Sequence, residues 1–250
     1  MRYIGGKAKN GLAVRIADII RSYFPNEIVY EPFCGGLSCT IELRSAVAAD
    51  ACKPLIVMYN AIVNGWLPPE IVDESTWLRI RKQNDQEDPM HAFCAIGCTY
   101  SGTWWGSYAR GTNGNHKPTD KTYAQSARSS LIKKFTRLWR NGGFPQFVCR
   151  DYRETNCVAG NVLYCDPPYL GAEQGYLSKT FDTLSFWEWC WQQACRGMHV
   201  FVSEFQSPNG VPCVAEFASK TQMSKTSKPT TERLYYLGPH NQLSRGLLTL

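Results

Sequence analysis

The sequence lacks the features that would place this chain in a membrane, in a disulfide framework or around a zinc ion. No stretch approaches the roughly 20 consecutive apolar residues of a membrane-spanning helix, and no signal-type apolar run follows the start MRYIGGKAKN. The eleven cysteines include no C-x-x-C pair, so neither a disulfide framework nor a zinc ribbon is supported. We therefore expect a soluble, cytoplasmic protein with reduced thiols.

The one cluster that resembles a metal site lacks a second half. Cys94 and Cys98 stand one helical turn apart, with His91 close by in the sequence. No other pair of ligands occurs at a matching spacing, and buried cysteines commonly pack as small apolar residues. Core packing is the better interpretation, and we predict no metal.

Acidic residues are scarce in one region of the chain. The net charge is +6, but residues 100–141 alone hold eight basic residues against a single acidic one, Asp120. Aromatic residues interleave with this charge. Because cations hold phosphates and rings stack on bases, the segment predicts a nucleic-acid surface. A solvated basic face is the alternative.

The chain has no internal repeat, but short apolar runs that end at a polar or acidic residue recur along it and predict buried strands. These runs are IVYEP (28–32), AVAAD (46–50), FVCRD (147–151), VLYCDPPY (162–169) and HVFVSE (199–204). Apolar residues at helical spacing lie between them, at 12–23, 54–63 and 186–195. Alternation of strands and helices predicts an α/β fold with a mostly parallel sheet.

Residues 67–145 break this alternation and form the predicted insertion, which leaves 1–66 and 146–250 as the main domain. Within the insertion, 126–140 has one apolar helical face surrounded by basic residues. The preceding segment 111–120 is rich in Gly, Asn and Pro and predicts a loop. We expect a mainly helical lobe.

Two strand ends carry a pattern that suits a nucleoside ligand, because ligands of parallel sheets bind at the carboxyl ends of the strands. Gly35 and Gly36 follow the first strand and permit a tight turn. Asp50 ends the second strand, where a carboxylate accepts hydrogen bonds from ribose hydroxyls. Turn glycines and a helix-capping aspartate are the plainer interpretations.

A third strand end, DPPY at 166–169, is more specific. Two successive prolines remove two backbone donors and fix φ, so the loop presents mainly acceptors. An aniline-like amino group is the matching donor, since its ring-delocalised lone pair makes it a poor nucleophile until its hydrogens are held. Asp166 and the Pro167 carbonyl would hold them, and Tyr169 would stack on the base. A proline-stiffened turn is the plainer interpretation.

These motifs, in this order, resemble the Dam-type DNA adenine-N6 methyltransferases, especially the small versions of phages and prophages. The matching segments are YIGGK (3–7), EPFCGG (31–36), Asp50, GTWWGSYAR (102–110), DYRE (151–154), YCDPPY (164–169) and HVFVSE (199–204). The resemblance implies a Rossmann-like methyltransferase sheet with an inserted recognition lobe, S-adenosylmethionine as cofactor and double-stranded DNA as partner. It also implies a monomer or weak dimer in the bacterial or phage-infected cytoplasm.

The resemblance implies roles for individual residues. The catalytic loop is Asp166, Pro167, Pro168 and Tyr169. The cofactor-binding residues are Tyr3, Ile4, Gly5, Lys7, Pro32, Phe33, Cys34, Gly35, Gly36, Ser38, Asp50, Asp151, Tyr152, Asp166 and Tyr176. The sequence departs from the commonest family pattern at Leu37, which follows the second glycine, and at Ala51 and Cys52, where an asparagine commonly follows Asp50 at two residues.

The DNA-binding residues are assigned from the charge and the aromatic rings of the insertion. They are Trp104, Trp105, Tyr108, Arg110, Lys117, Arg128, Lys133, Lys134 and Arg137. Trp104 or Trp105 would act as a wedge or stacking plate beside the flipped base, and Arg110 would reach a guanine edge. Packing of both tryptophans inside the lobe is the competing interpretation.

We therefore predict a site-specific DNA adenine-N6 methyltransferase. Methylation of the cytosine N4 amino group requires the same acceptor loop, and only the resemblance favours adenine. Two further hypotheses are methylation of RNA and DNA binding without catalysis.

Overall fold

The computed structural model describes residues 6–110, 123–168, 181–208, 210–219 and 230–239. Its centre is a seven-stranded sheet in the order β3-β2-β1-β4-β5-β7-β6. The strands are β1 (Val29–Glu31), β2 (Val47–Asp50), β3 (Gln146–Cys149), β4 (Val162–Cys165), β5 (His199–Glu204), β6 (Cys213–Ser219) and β7 (Thr230–Leu237). The first five strands are parallel, and β7 is antiparallel to both of its neighbours. The predicted α/β fold is confirmed.

Helices cover both faces of the sheet. They are α1 (Leu12–Tyr23), α2 (Ser38–Leu43), α3 (Lys53–Val63), α4 (Glu74–Gln83), α5 (Pro89–Ala92), α6 (Tyr123–Arg140) and α7 (Thr183–Cys195), and a π-helical turn, Phe93–Gly97, continues α5. Helix α1 buries Leu12, Ile16 and Ile20 because these residues recur every four positions on one face. Side chains of α1 and α2 pack with Tyr164 on one face of β4, and α7 packs with Leu163 on the other.

The predicted insertion shares a hydrophobic cluster with the sheet. Trp77, Phe93 and Leu131 from the insertion belong to the same buried cluster as Ala48 of β2 and Phe147 of β3. Helix α6 has 18 residues and a length of about 27 Å at 1.5 Å per residue, roughly twice the span of a four-residue strand. Its first half contacts the turn Phe93–Gly97 of the insertion, and in its second half the ring of Phe135 lies 5.9 Å from that of Phe147 of β3.

Each of the eleven cysteines is a free thiol. In the described residues, no group of three or more His, Cys, Asp and Glu side chains is arranged to hold a metal ion. No helix of the described segments is long and apolar enough to cross a membrane.

Candidate active site

The turn after β1 has the conformation that its glycines permit. Gly35 has φ 41° and the Leu37 amide donates to the Cys34 carbonyl at 2.9 Å, which closes a four-residue turn. Leu37, the departure from the family pattern, has φ 63°. A left-handed leucine costs about 1–2 kcal/mol, but its side chain is 0% exposed, and burial of a leucine contributes about 1.5–3 kcal/mol in return.

Asp50 is buried beside this turn and holds it in place. One carboxylate oxygen accepts the Gly35 amide at 3.0 Å and the other accepts the Cys52 amide at 2.9 Å. Burial raises the pKa of Asp50 to about 6, although these two hydrogen bonds oppose the shift. A carboxylate has about four lone-pair positions. Since only two are used within the described residues, the site fits a ligand that brings hydroxyl donors, such as a ribose.

The acidic residue of the proline-rich loop is paired with a buried lysine. Lys7 Nζ lies 2.5 Å from Asp166 Oδ1 and 3.1 Å from Glu232 Oε1 of β7, and the Lys7 side chain is 3% exposed. Burial alone lowers the pKa of Lys7, but the charges of Asp166 and Glu232 outweigh burial and raise it. The sequence predicted Lys7 at the cofactor, and the structure places its ammonium at the start of the predicted catalytic loop.

The two prolines after Asp166 lie at the same edge of the sheet. Pro167 is buried and Pro168 is partly exposed. Tyr169, Tyr176 and the predicted residues Tyr3, Ile4 and Gly5 lie outside the described residues.

Glu31 belongs to this region although sequence reasoning did not select it. It ends β1, is 2% exposed, and accepts hydrogen bonds from Thr40 at 2.8 Å and Ser45 at 2.6 Å. Burial raises the pKa of Glu31 to about 8, and the charge of Asp166 adds to the increase. The available signal was its position as the first residue of EPFCGG, directly at a strand end.

Asp151 and Tyr152, two of the predicted cofactor-binding residues, make local contacts. Asp151 accepts hydrogen bonds from Arg153 Nε at 2.7 Å and Nη2 at 2.9 Å, and these bonds lower the pKa of Asp151. The Tyr152 ring is buried and lies 5.4 Å from the ring of Phe33 and 5.1 Å from that of Trp189. Among the other predicted cofactor residues, Pro32, Cys34 and Gly36 are buried, and Ser38 begins α2.

The aromatic residues of the insertion pack against one another. Trp105 Nε1 donates to His91 Nε2 at 3.1 Å, and its ring meets that of Trp77 edge-on at 5.5 Å. The Tyr108 hydroxyl donates to the Val72 carbonyl at 2.7 Å. Trp104 is partly buried, with its ring 6.0 Å from that of His91. These contacts agree with packing of the rings inside the lobe, and a DNA contact by the rings stays a prediction.

The predicted DNA-binding cations differ in how they are engaged. Arg110 pairs with Glu74 and Arg137 pairs with Glu42, each at an exposed position. Arg128 donates to the Pro68 carbonyl, and Lys134 donates to the carbonyl of Gly36 in the glycine turn. Lys133 is exposed on the outer side of α6, and Lys117 lies outside the described residues.

A family model described as D12 class N6 adenine-specific DNA methyltransferase matches residues 3–211. Similar solved structures include the rRNA methyltransferase aviRa from Streptomyces viridochromogenes, at 14% identity and TM-score 0.41, covering 90% of this chain and 85% of that chain. A putative methyltransferase complexed with SAH, SMU.472, has 14% identity and TM-score 0.35 over 92% of this chain and 52% of that chain. The M protein of the type I restriction enzyme EcoKI has 13% identity and TM-score 0.32, covering 90% of this chain and 43% of that chain. None of the curated proteins matches this chain.

Proposed function

The chain belongs to the D12 class of N6 adenine-specific DNA methyltransferases, and from this premise we propose that Asp166, Pro167 and Pro168 bind the target adenine. The protein transfers a methyl group from S-adenosylmethionine to the N6 amino group of adenine in DNA. One observation carries the assignment of the site. Asp166 follows β4, which lies next to β1 in the sheet, so it shares an edge with the glycine turn after β1 and with Asp50 at the end of β2.

Asp166 is proposed to accept a hydrogen bond from the adenine amino group. Lys7, at 2.5 Å, favours the ionised carboxylate, and an ionised carboxylate is an acceptor only. Holding the hydrogens of the amino group turns its lone pair toward the methyl donor. The contribution of this chain to catalysis is then positioning and electrostatics, with no covalent enzyme intermediate.

The glycine turn and Asp50 are proposed to hold the cofactor. S-adenosylmethionine supplies, when bound, an electrophilic methyl group on a sulfonium sulfur. The buried Asp50 carboxylate, already oriented by two backbone amides, would accept the ribose hydroxyls in charge-assisted hydrogen bonds. The remaining cofactor assignments from the sequence stay predictions.

The insertion is proposed to hold double-stranded DNA. A paired adenine is not accessible to the loop at Asp166, so the base must be flipped at a cost of a few kcal/mol. Exposed cations such as Lys133 would grip phosphates. The division into a catalytic domain and a recognition lobe, the monomeric or weakly dimeric state and the cytoplasmic location also remain predictions.

Long-read kinetic sequencing of DNA from cells that express the protein tests the proposal, because it reports the modified base and its sequence context together. We expect N6-methyladenine at a defined site in cells with the wild type. Asp166→Ala should remove the signal, since loss of one positioned group commonly costs about 10² or more in rate. Asp18→Ala, an exposed aspartate of α1, is the matched control and should leave the signal intact. N4-methylcytosine in its place, or methylated RNA with unmodified DNA, would contradict the assignment.

A further inference from the structure

Helix α6 is attached to the glycine turn and the helix that follows it. Three residues of α6 and its end contact this segment. Lys134 donates to the Gly36 carbonyl, Arg137 Nη2 lies 2.7 Å from Glu42 Oε1, and Asn141 donates to the Ile41 carbonyl at 3.1 Å. They occur at intervals of three and four residues, so they lie on one side of the helix. The insertion therefore has a direct polar contact with the glycine turn.

The glycine turn is held by side chains that come from other parts of the chain. The Gly35 amide donates to Asp50, and the Gly35 carbonyl accepts from the Tyr59 hydroxyl of α3 at 2.7 Å. The peptide group between Gly36 and Leu37 is held at both ends, since its amide donates to Cys34 and its carbonyl accepts from Lys134. Glycine has little conformational preference of its own. The orientation of this peptide group thus depends on its partners.

Lys134 is an unusual residue for a surface role. Within the described residues, the Gly36 carbonyl is its only hydrogen-bond acceptor, and no carboxylate is paired with its ammonium group. Burial lowers the pKa of Lys134 to about 8. Lys134 is partly buried, and a cation withdrawn from water without a counter-ion costs free energy of folding, so no ion pair accounts for the lysine at this position. Its neighbour Lys133 is exposed and better placed for phosphate.

We propose that Lys134 is a positioning residue for the cofactor, because its ammonium group fixes the Gly36 carbonyl and with it the turn that receives S-adenosylmethionine. The inference rests on the proposed cofactor role of Gly35 and Gly36. Lys134 then contacts the glycine turn, whereas the sequence predicted that it contacts a DNA phosphate. It also makes a helix of the recognition lobe a determinant of cofactor affinity.

The test compares Lys134→Met, which keeps the length of the stem and removes the donor, with Lys133→Met and with Lys82→Met on exposed α4. Calorimetric titration with S-adenosylhomocysteine, salt-dependent DNA binding and thermal unfolding are measured for each. Lys134→Met should weaken cofactor binding about tenfold, as expected for loss of a charged donor. For this variant, neither the melting temperature nor the magnitude of the slope of log DNA affinity against log salt concentration should fall. Lys133→Met should instead lower the slope by about 0.9, and Lys82→Met should change the cofactor affinity by less than about twofold.

Each other outcome has a definite meaning. Unchanged cofactor affinity in Lys134→Met, or a slope reduced by about 0.9, overturns the positioning role and returns Lys134 to phosphate contact. A fall in melting temperature together with the affinity makes Lys134 a structural residue and equally overturns the inference. If the wild type itself binds no S-adenosylhomocysteine, the proposed cofactor site is wrong and this inference is wrong with it. If the wild type binds S-adenosylhomocysteine and Lys134→Met binds it equally well, only the positioning role of Lys134 is wrong and the proposed function stands.

Discussion

Lys7 Nζ lies 2.5 Å from Oδ1 of Asp166 and joins two segments 159 residues apart in the sequence. The pair stands at the carboxyl edge of the sheet, and Glu232 adds a second carboxylate at 3.1 Å from the same ammonium group. One buried cation therefore balances two acidic side chains. Lys7 thereby contacts the carboxylate that is proposed to bind the target adenine.

The first prediction follows from removal of that cation. Lys7→Met removes the cation that lies between Asp166 and Glu232, so we expect the Asp166 carboxylate to lose its position and methyl transfer to fall by about 10²-fold or more. Loss of one partner of a buried ion pair should also lower the free energy of unfolding by about 3–5 kcal/mol. Steady-state kinetics and urea unfolding measure the two effects.

A double variant separates catalysis from stability. Lys7→Met combined with Glu232→Gln removes one of the two carboxylates that Lys7 contacts and should recover part of the unfolding free energy without restoring transfer. Recovery of transfer along with stability would show that Lys7 acts on folding alone and would sink the link to Asp166.

The second prediction concerns Asp50. Asp50→Ala should weaken S-adenosylmethionine binding by about 1.5–3 kcal/mol through loss of a charged acceptor, measured by calorimetry with Asp18→Ala as the control. The pKa of Asp50 is raised to about 6, so the carboxyl takes up a proton below that pH and loses acceptor capacity. Wild-type affinity should therefore decline from about pH 7 to about pH 5. A flat profile and an unchanged dissociation constant would return Asp50 to the role of a helix cap.

Much of the fold was predictable because its central elements bury continuous apolar runs. The predicted helix at 12–23 coincides with α1, and the five predicted strands overlap β1 to β5 within a few residues. Strands β6 and β7 were missed, since the search was for apolar runs that end at an acidic residue. These two strands mix polar and apolar residues, as in CVAEFAS (213–219). Helix α2, with six residues, is too short to show a helical period.

Residues of the candidate site that lie at strand ends could be predicted from the sequence. Residues that reach the site through contacts between distant segments could not. Asp50 ends β2 and Asp166 directly follows β4, and the apolar runs before them are visible in the sequence. The attachment of Lys134 to Gly36, across 98 residues, leaves no trace in spacing or composition. A basic helix predicts phosphate contact for all of its cations alike, and only the side of α6 that faces the glycine turn distinguishes Lys134 from the exposed Lys133.

The third prediction concerns the pH dependence of stability through His91. Tryptophan is a donor only, so the hydrogen bond from Trp105 requires an unprotonated His91 Nε2. Burial lowers the pKa of His91 from 6.5, against the opposing charges of Asp88 and Asp85. As pH falls below about 6.5 the unfolded chain takes up this proton first, so the folded state loses up to about 1.4 kcal/mol per pH unit.

Thermal unfolding between about pH 7 and about pH 5 checks this assignment. His91→Gln keeps an acceptor for Trp105 without a titrating group, and its melting temperature should depend less on pH than that of the wild type. Equal pH dependence in the two proteins would place the acid-sensitive group elsewhere.

The last prediction is that Glu74 competes with DNA for Arg110. Arg110 Nη2 lies 2.6 Å from Oε1 and 2.7 Å from Oε2 of Glu74, so the guanidinium must leave this partner before it reaches a base. The pair is exposed and worth only about 0–1 kcal/mol, whereas a bidentate contact to guanine is worth about 1–3 kcal/mol.

Glu74→Gln should therefore tighten binding to the preferred site by up to about fivefold, and Arg110→Ala should weaken it by about 1–3 kcal/mol with little effect on unrelated DNA. In the double variant the gain from Glu74→Gln should vanish, since no arginine remains to be released. Binding assays on both DNAs decide the role of Arg110. Equal losses of affinity on the preferred and the unrelated DNA indicate a phosphate contact. Unchanged affinity in every variant means that Arg110 makes only the surface ion pair with Glu74.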